Sequence, residues 1–170
     1  MHMGKYVIAS VLLFPGFGLA QNVFINEVAW MGSSASANDE WIELFNPTQE
    51  RVELSGWRVE AEDGSPSIIL VGTVPTSGYF LLERMDDTTV PGVKANFIYS
   101  GALENGGEHL KLIDSSGALI DEVLSWQGGD SKSKQTMERI LAKVGSDPTL
   151  EWQTSAQVGG TPSEKNSELI

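Results

Sequence analysis

Residues 40–47 read Glu-Trp-Ile-Glu-Leu-Phe-Asn-Pro, and the fold class follows from how these eight side chains alternate. On an extended chain successive side chains point to opposite faces, so Ile42 and Leu44 share one face while Trp41, Glu43 and Phe45 share the other. Asn46-Pro47 closes the run, because proline brings no N–H to a strand ladder. The stretch is too short for a helix and rich in residues that suit a pleated surface.

The same grammar holds on either side. Val23–Val28 reads as a strand before it, and Val52–Glu60 as one after it, with Gly56 marking a bulge ahead of Trp57. Ser67–Val71, Tyr79–Arg84 and Asn96–Tyr99 follow. Glu108–Ile113 and Leu119–Leu124 flank Asp114-Ser115-Ser116-Gly117, a hairpin signal. Thr136–Leu141 and Glu151–Thr154 read as the last two strands. No stretch after residue 22 carries a convincing helical pattern, and about nine short strands in one unit imply an all-β sandwich or barrel. Trp41 and Trp57 are the expected core aromatics. Gly56, Gly106, Gly107 and Gly117 suit turns and bulges, Asp114 can bond its own turn, and Asp121 can satisfy a neighbouring strand end.

Composition narrows the class. Twenty-three acidic residues against eleven basic ones give a net charge of −12, a field that repels nucleic-acid phosphates. The densest basic stretch, Lys132, Lys134, Arg139 and Lys143, is thin and reads as solvated loop. The absence of cysteine excludes disulfides, thiolate-bound zinc and a thiol nucleophile.

Residues 1–20 read as a signal peptide: Lys5, then the apolar run Tyr6–Phe14, the breaker Pro15-Gly16, and Gly18-Leu19-Ala20 before a cut at Gln21. The apolar run is shorter than the about 20 residues that span a bilayer, although an uncleaved anchor is the alternative. The expectation is a leader at 1–20, a domain at 21–170 with no transmembrane helix once the leader is cleaved, and a secreted or cell-envelope location.

Catalytic chemistry finds little support. Gly32-Ser33-Ser34-Ala35-Ser36 lacks the strand and helix that frame a nucleophile elbow. His109 is the one histidine beyond the leader, and no glycine-rich phosphate cradle occurs. Glu40 and Glu43 are expected on opposite faces, whereas Glu27 and Glu43 can meet across neighbouring strands, as a carboxylate-dependent hydrolase would need. No metal site is assigned. Calcium is the one ion that the loop clusters Asn38-Asp39-Glu40 and Asp86-Asp87 suit, and both lack the spacing of a known calcium loop. For partner binding the candidates are Trp30 and Met31, on the connection Ala29–Asn38, and Trp126 beside Gln127-Gly128-Gly129. Tryptophan and methionine on loops suit contact surfaces, and Trp30 capping the core is the competing role.

These residues also carry a family pattern. It comprises Ile25-Asn26-Glu27-Val28, then Asp39-Glu40-Trp41-Ile42-Glu43-Leu44 with Asn46, then Val52, Leu54, Gly56-Trp57 and Gly78-Tyr79. It continues through Leu103, Asn105-Gly106-Gly107, Leu110, Leu112, Asp114, Gly117 and Ile120-Asp121, and closes on Met137-Glu138-Arg139, Trp152, Thr161-Pro162 and Asn166. In order and spacing the chain resembles a bacterial lamin-tail domain from about Val23 to Asn166. Ser163 departs from it, standing where the closing element usually has glycine. The resemblance implies an immunoglobulin-like β-sandwich and a secreted, non-catalytic binding or adhesion module engaging a protein or cell-envelope polymer, and it transfers no catalytic residue. The alternatives are a nucleic-acid-associated module and, behind it, the hydrolase.

Overall fold

The computed structural model describes residues 23–141 and 151–168; the leader at 1–20 lies outside them. The described residues form twelve strands. They are β1 (Phe24–Ala29), β2 (Trp41–Asn46), β3 (Val52–Glu53), β4 (Arg58–Ala61), β5 (Ser67–Ile69), β6 (Thr73–Val74), β7 (Gly78–Arg84), β8 (Phe97–Tyr99), β9 (Leu110–Ile113), β10 (Leu119–Val123), β11 (Gln135–Arg139) and β12 (Trp152–Val158). A large sheet runs β12-β11-β1-β2-β7-β8, a small one β10-β9-β4-β5, and β3 pairs with β6. The chain is an all-β sandwich, one of the two architectures its alternating pattern implied, and it is immunoglobulin-like, as the resemblance implied.

Two corrections raise the count above about nine. Val52–Glu60 is two strands, not one bulged strand. The Trp57 amide donates to the Leu54 carbonyl at 2.9 Å and closes a turn there, with Gly56 at φ 82°, a conformation that side chains with a Cβ resist. The second addition is β6, too short to register as a pattern. At the end of the sheet, β12 runs on to Val158.

The core lies between the two layers. Ile25, Val28, Ile42, Leu44, Phe80, Leu82 and Met137 face Val59, Ala61, Ile68, Leu110, Leu112 and Val123, all buried. Trp57 is only half-buried against this core, and Trp41 is buried elsewhere, in a small cluster with Ala29, Leu81 and Val90. Both depart from the expected central role. Trp41 sits in the opposite phase of β2 from Ile42 and Leu44, so it belongs to the outer face of the large sheet.

A buried ion cluster joins the layers near the end of β11. Arg139, 2% exposed, donates from Nη2 to Asp121 Oδ2 at 2.7 Å, from Nε to the Ile25 carbonyl at 2.8 Å, and from Nη1 to Glu151. Its guanidinium lies 4.3 Å from the Trp152 ring centroid and 5.4 Å from that of Phe24. Asp121 Oδ2 also accepts the Ile25 amide at 2.8 Å. The cluster ties β10 to β1 and β11, so Asp121 satisfies a strand end across the sandwich.

Candidate functional site

The three aromatic and thioether candidates come from loops about a hundred residues apart in sequence, and the fold brings them to one end of the sandwich. Trp30 follows β1 directly and Trp126 follows β10. Their rings stack with centroids 6.3 Å apart and planes 6° from parallel. Trp30 Nε1 donates to the Gly128 carbonyl at 3.1 Å, and Trp126 Nε1 donates to the Glu104 carbonyl at 2.7 Å. Both rings are half-buried and rest on the core, so the pair caps the core and is presented on loops at once. Gly129 lies so close that a Cβ there would come within 2.7 Å of Trp30 Nε1. Met31 is buried, 4% exposed, and its carbonyl accepts from Lys134 Nζ at 2.9 Å. It is therefore not presented to solvent.

Beside this end, the outer face of the large sheet carries a groove of about 180 Å³. Its floor is Ala29 and Trp41; its walls include Met31, Val90, Pro91 and Val158. Val158 is 73% exposed. The groove has an apolar floor because β1 and β2 place Ala29 opposite Trp41.

One register step along the same face stands a row of carboxylates. Glu27 pairs with Glu43 on one side and with Glu138 on the other. A bulge at Asn26-Glu27 places both residues against Glu43, and all three glutamates are fully buried. Burial pushes Glu27 up to about 7 and Glu43 up to about 8, each raised further by a neighbouring carboxylate and partly offset by hydrogen bonds. Two adjacent carboxyl groups perturbed into this range are the pattern of an acid–base pair. Here the residues after β12 cover them. Thr161 N donates to Glu27 Oε1 at 2.9 Å, Ser163 N to Glu43 Oε2 at 2.5 Å, and Ser167 N to Glu138 Oε1 at 3.0 Å. Asn166 joins Asn26 and the Arg139 carbonyl, Nδ2 to carbonyl 2.8 Å. The carboxylates are occupied as acceptors for the chain's own backbone.

Ser163, the departure from the family pattern, lies at φ 61°. It adopts the left-handed conformation that a glycine at this place would take without strain.

The calcium candidates are spread over local bonds. Asp39 accepts from Ser33 Oγ; Glu40 turns inward to Arg84 at 3.1 Å and to the Leu103 amide at 2.8 Å. Asp86 bonds Thr88, and Asp87 accepts the Ala95 amide at 2.7 Å. Among the described residues no three carboxylates or imidazoles converge as a metal would require. His109 bridges Glu122 at 2.7 Å and Glu62 at 3.3 Å on the outer face of the small sheet.

Sequence reasoning placed Trp30 and Trp126 on loops and left both their stacking and the meeting of Glu27 with Glu43 open. It missed Glu138 as their neighbour and Thr161–Ser167 as their cover. The signal for a covered face was present in β2 itself, where both phases carry bulky side chains.

A model of the lamin tail domain matches residues 19–128 of the chain. No individual curated protein matches it.

Proposed function

From the chain's membership of the lamin tail domain family, a family of non-catalytic immunoglobulin-like domains, we propose that it acts as an exported binding module for a protein or cell-envelope polymer. The observation that carries this reading is the stacked Trp30–Trp126 pair at a loop-built end of the sandwich, next to an apolar-floored groove. Rigid aromatic side chains held by their own hydrogen bonds offer contact area with little conformational entropy left to lose. The leader-like residues 1–20 support export. The acidic balance of the chain favours partners other than nucleic acid.

The test is crosslinked capture from the producing organism's envelope and secreted fractions, with a Trp30→Ala/Trp126→Ala variant alongside. A stoichiometric partner that the variant loses, while still unfolding cooperatively, supports the reading. A blank from folded protein, or equal capture by the variant, refutes it.

A further inference from the structure

We propose that residues 161–167 form a displaceable strap on the large sheet, latched by a proton held in the Glu27–Glu43–Glu138 row and hinged at Gly159–Gly160. This inference is independent of the partner assigned above.

Hydrogen-bond counting calls for the proton. Thr161 Oγ1 lies 2.9 Å from Glu27 Oε2 and 3.2 Å from Glu138 Oε2. A hydroxyl has one hydrogen to give and lone pairs to receive. With both carboxylates ionised, one of these contacts is acceptor against acceptor. A proton on Glu27 resolves it: Glu27 donates to Thr161 Oγ1, which donates to Glu138. The other Glu27 oxygen then still accepts the Thr161 amide and the Thr136 hydroxyl. Glu43 accepts from the Ser163 amide and from Asn26 Nδ2 at 2.9 Å, and burial raises it as it raises Glu27. It is the shared Thr161 hydroxyl that calls for a proton on Glu27 itself.

The electrostatics agree. Among the described residues the charged and titratable groups facing Glu27 are Glu43 on β2, Glu138 on β11 and Tyr79 on β7, with Glu164 of the strap acting on Tyr79. Tyr79 is itself pushed up by burial and by Glu43, Glu27 and Glu164. Arg139 on β11 is turned to Asp121 and Glu151, and Lys165 of the strap pairs with Glu168 at the surface. Among the described residues no cation pairs with the row, so losing its proton places adjacent like charges under the strap.

The strap is built to leave. Its buried members are Thr161 and Asn166, neither of them a large apolar side chain, so its attachment rests on hydrogen bonds rather than hydrophobic area. Gly159 and Gly160 both have φ near 80°, and nothing lies within 4 Å of a Cβ built on Gly159. Val158 and Gly159 already line the groove, so lifting the strap extends that groove over the carboxylate row.

The experiment is hydrogen exchange with mass spectrometry on the full chain between about pH 6 and pH 9, following peptides over 159–168 with β1 and β2 as reference. Corrected for intrinsic exchange, strap protection is expected to fall by up to about tenfold per pH unit above the titration. In Glu27→Gln, whose amide reproduces the neutral acid's donor and acceptor, the fall is expected to shrink and to begin at higher pH, leaving only the part due to Glu43. Flat protection in the wild type, or an unchanged pH profile in Glu27→Gln, overturns the proposal. Should Glu27→Gln fail to fold, Thr161→Val takes its place, with the strap expected open throughout and wild-type protection counting against the latch.

Discussion

Replacing Arg139 by methionine tests whether the buried ion cluster anchors the end of the sandwich. Methionine keeps much of the packing volume but removes the charge and its donors. The perturbation falls on a closed site: the Arg139 side chain is 2% exposed, against 7% for Asp121 and 5% for Glu151. Two carboxylates would lose their cation where water cannot replace it, a loss of about 3–5 kcal/mol. The contacts over Trp152 and Phe24 add about 0.5–2 kcal/mol. Set against a typical domain stability of about 5–15 kcal/mol, the variant should be severely weakened. Equilibrium urea unfolding gives the number, and a cycle with Asp121→Asn isolates the pair. If the cluster works as described, Asp121→Asn loses much of its effect in the Arg139→Met background, with a coupling energy above about 1 kcal/mol. A methionine variant within about 1 kcal/mol of wild type would mean that the cluster is hydrated and its burial misjudged.

Further outcomes follow from the same geometry. Because the folded-state values of Glu27 and Glu43 are raised to about 7 and 8, their contribution to stability is complete below the ordinary carboxylate range and is lost as pH rises through those values. The unfolding free energy from urea titrations should therefore fall between about pH 5 and pH 9, by an amount on the order of several kcal/mol; a value that holds steady or rises would contradict it. Ser163→Gly should stabilise by roughly 1 kcal/mol, since glycine relieves the left-handed strain and the Ser163 amide remains for Glu43. Gly160→Ala should open the strap, because a Cβ there collides with Glu27 and Thr136 at φ 80°; amide protection over 161–167 reports it. Trp57→Ala should cost about 1–3 kcal/mol, below the about 3–5 kcal/mol of a fully buried tryptophan, as thermal unfolding will measure.

What could be read from the chain was whatever repeats with a period of two. β2 was legible because its two phases are chemically distinct, and the β9–β10 hairpin because Asp114 closes its own turn, its Oδ1 accepting the Ser116 amide at 2.8 Å. The split at Gly56 was not, because glycine signals a bulge and a turn equally, and the choice rested on the tertiary bond between Gly56 N and the Leu70 carbonyl at 3.2 Å. The pairing of Glu27 with Glu43 was visible as a possibility, since the sequence sets them on two strands that can be neighbours. Its cover was invisible for a physical reason. Thr161 and Ser163 reach the glutamates through main-chain N–H groups, which every residue but proline possesses. The two tryptophans show the limit from the other side: their placement on loops was legible, but their stacking depends on where two distant loops end.

The family match ends at residue 128, and the physics of the sheet does not. β1 lies in the interior of the large sheet, flanked by β2 from the matched region and by β11 from beyond it. A chain cut at 128 would leave one edge of β1 unpaired and Glu27 without the Thr161 amide. It would also leave Asp121 without Arg139. Unpaired strand edges seek other strands, and buried acceptors stripped of donors destabilise by about 1–3 kcal/mol each. With no cysteine in the chain, the first strand and the residues after the last described strand are tied together by hydrogen bonds spanning 134 and 140 residues, from Thr161 to Glu27 and from Asn26 to Asn166. Those long-range polar bonds take the place that a cross-link holds in other small sandwiches, with one difference. A disulfide responds to reductant, whereas a carboxylate clasp responds to protons, so the closure of this domain is coupled to the pH of the medium that surrounds it.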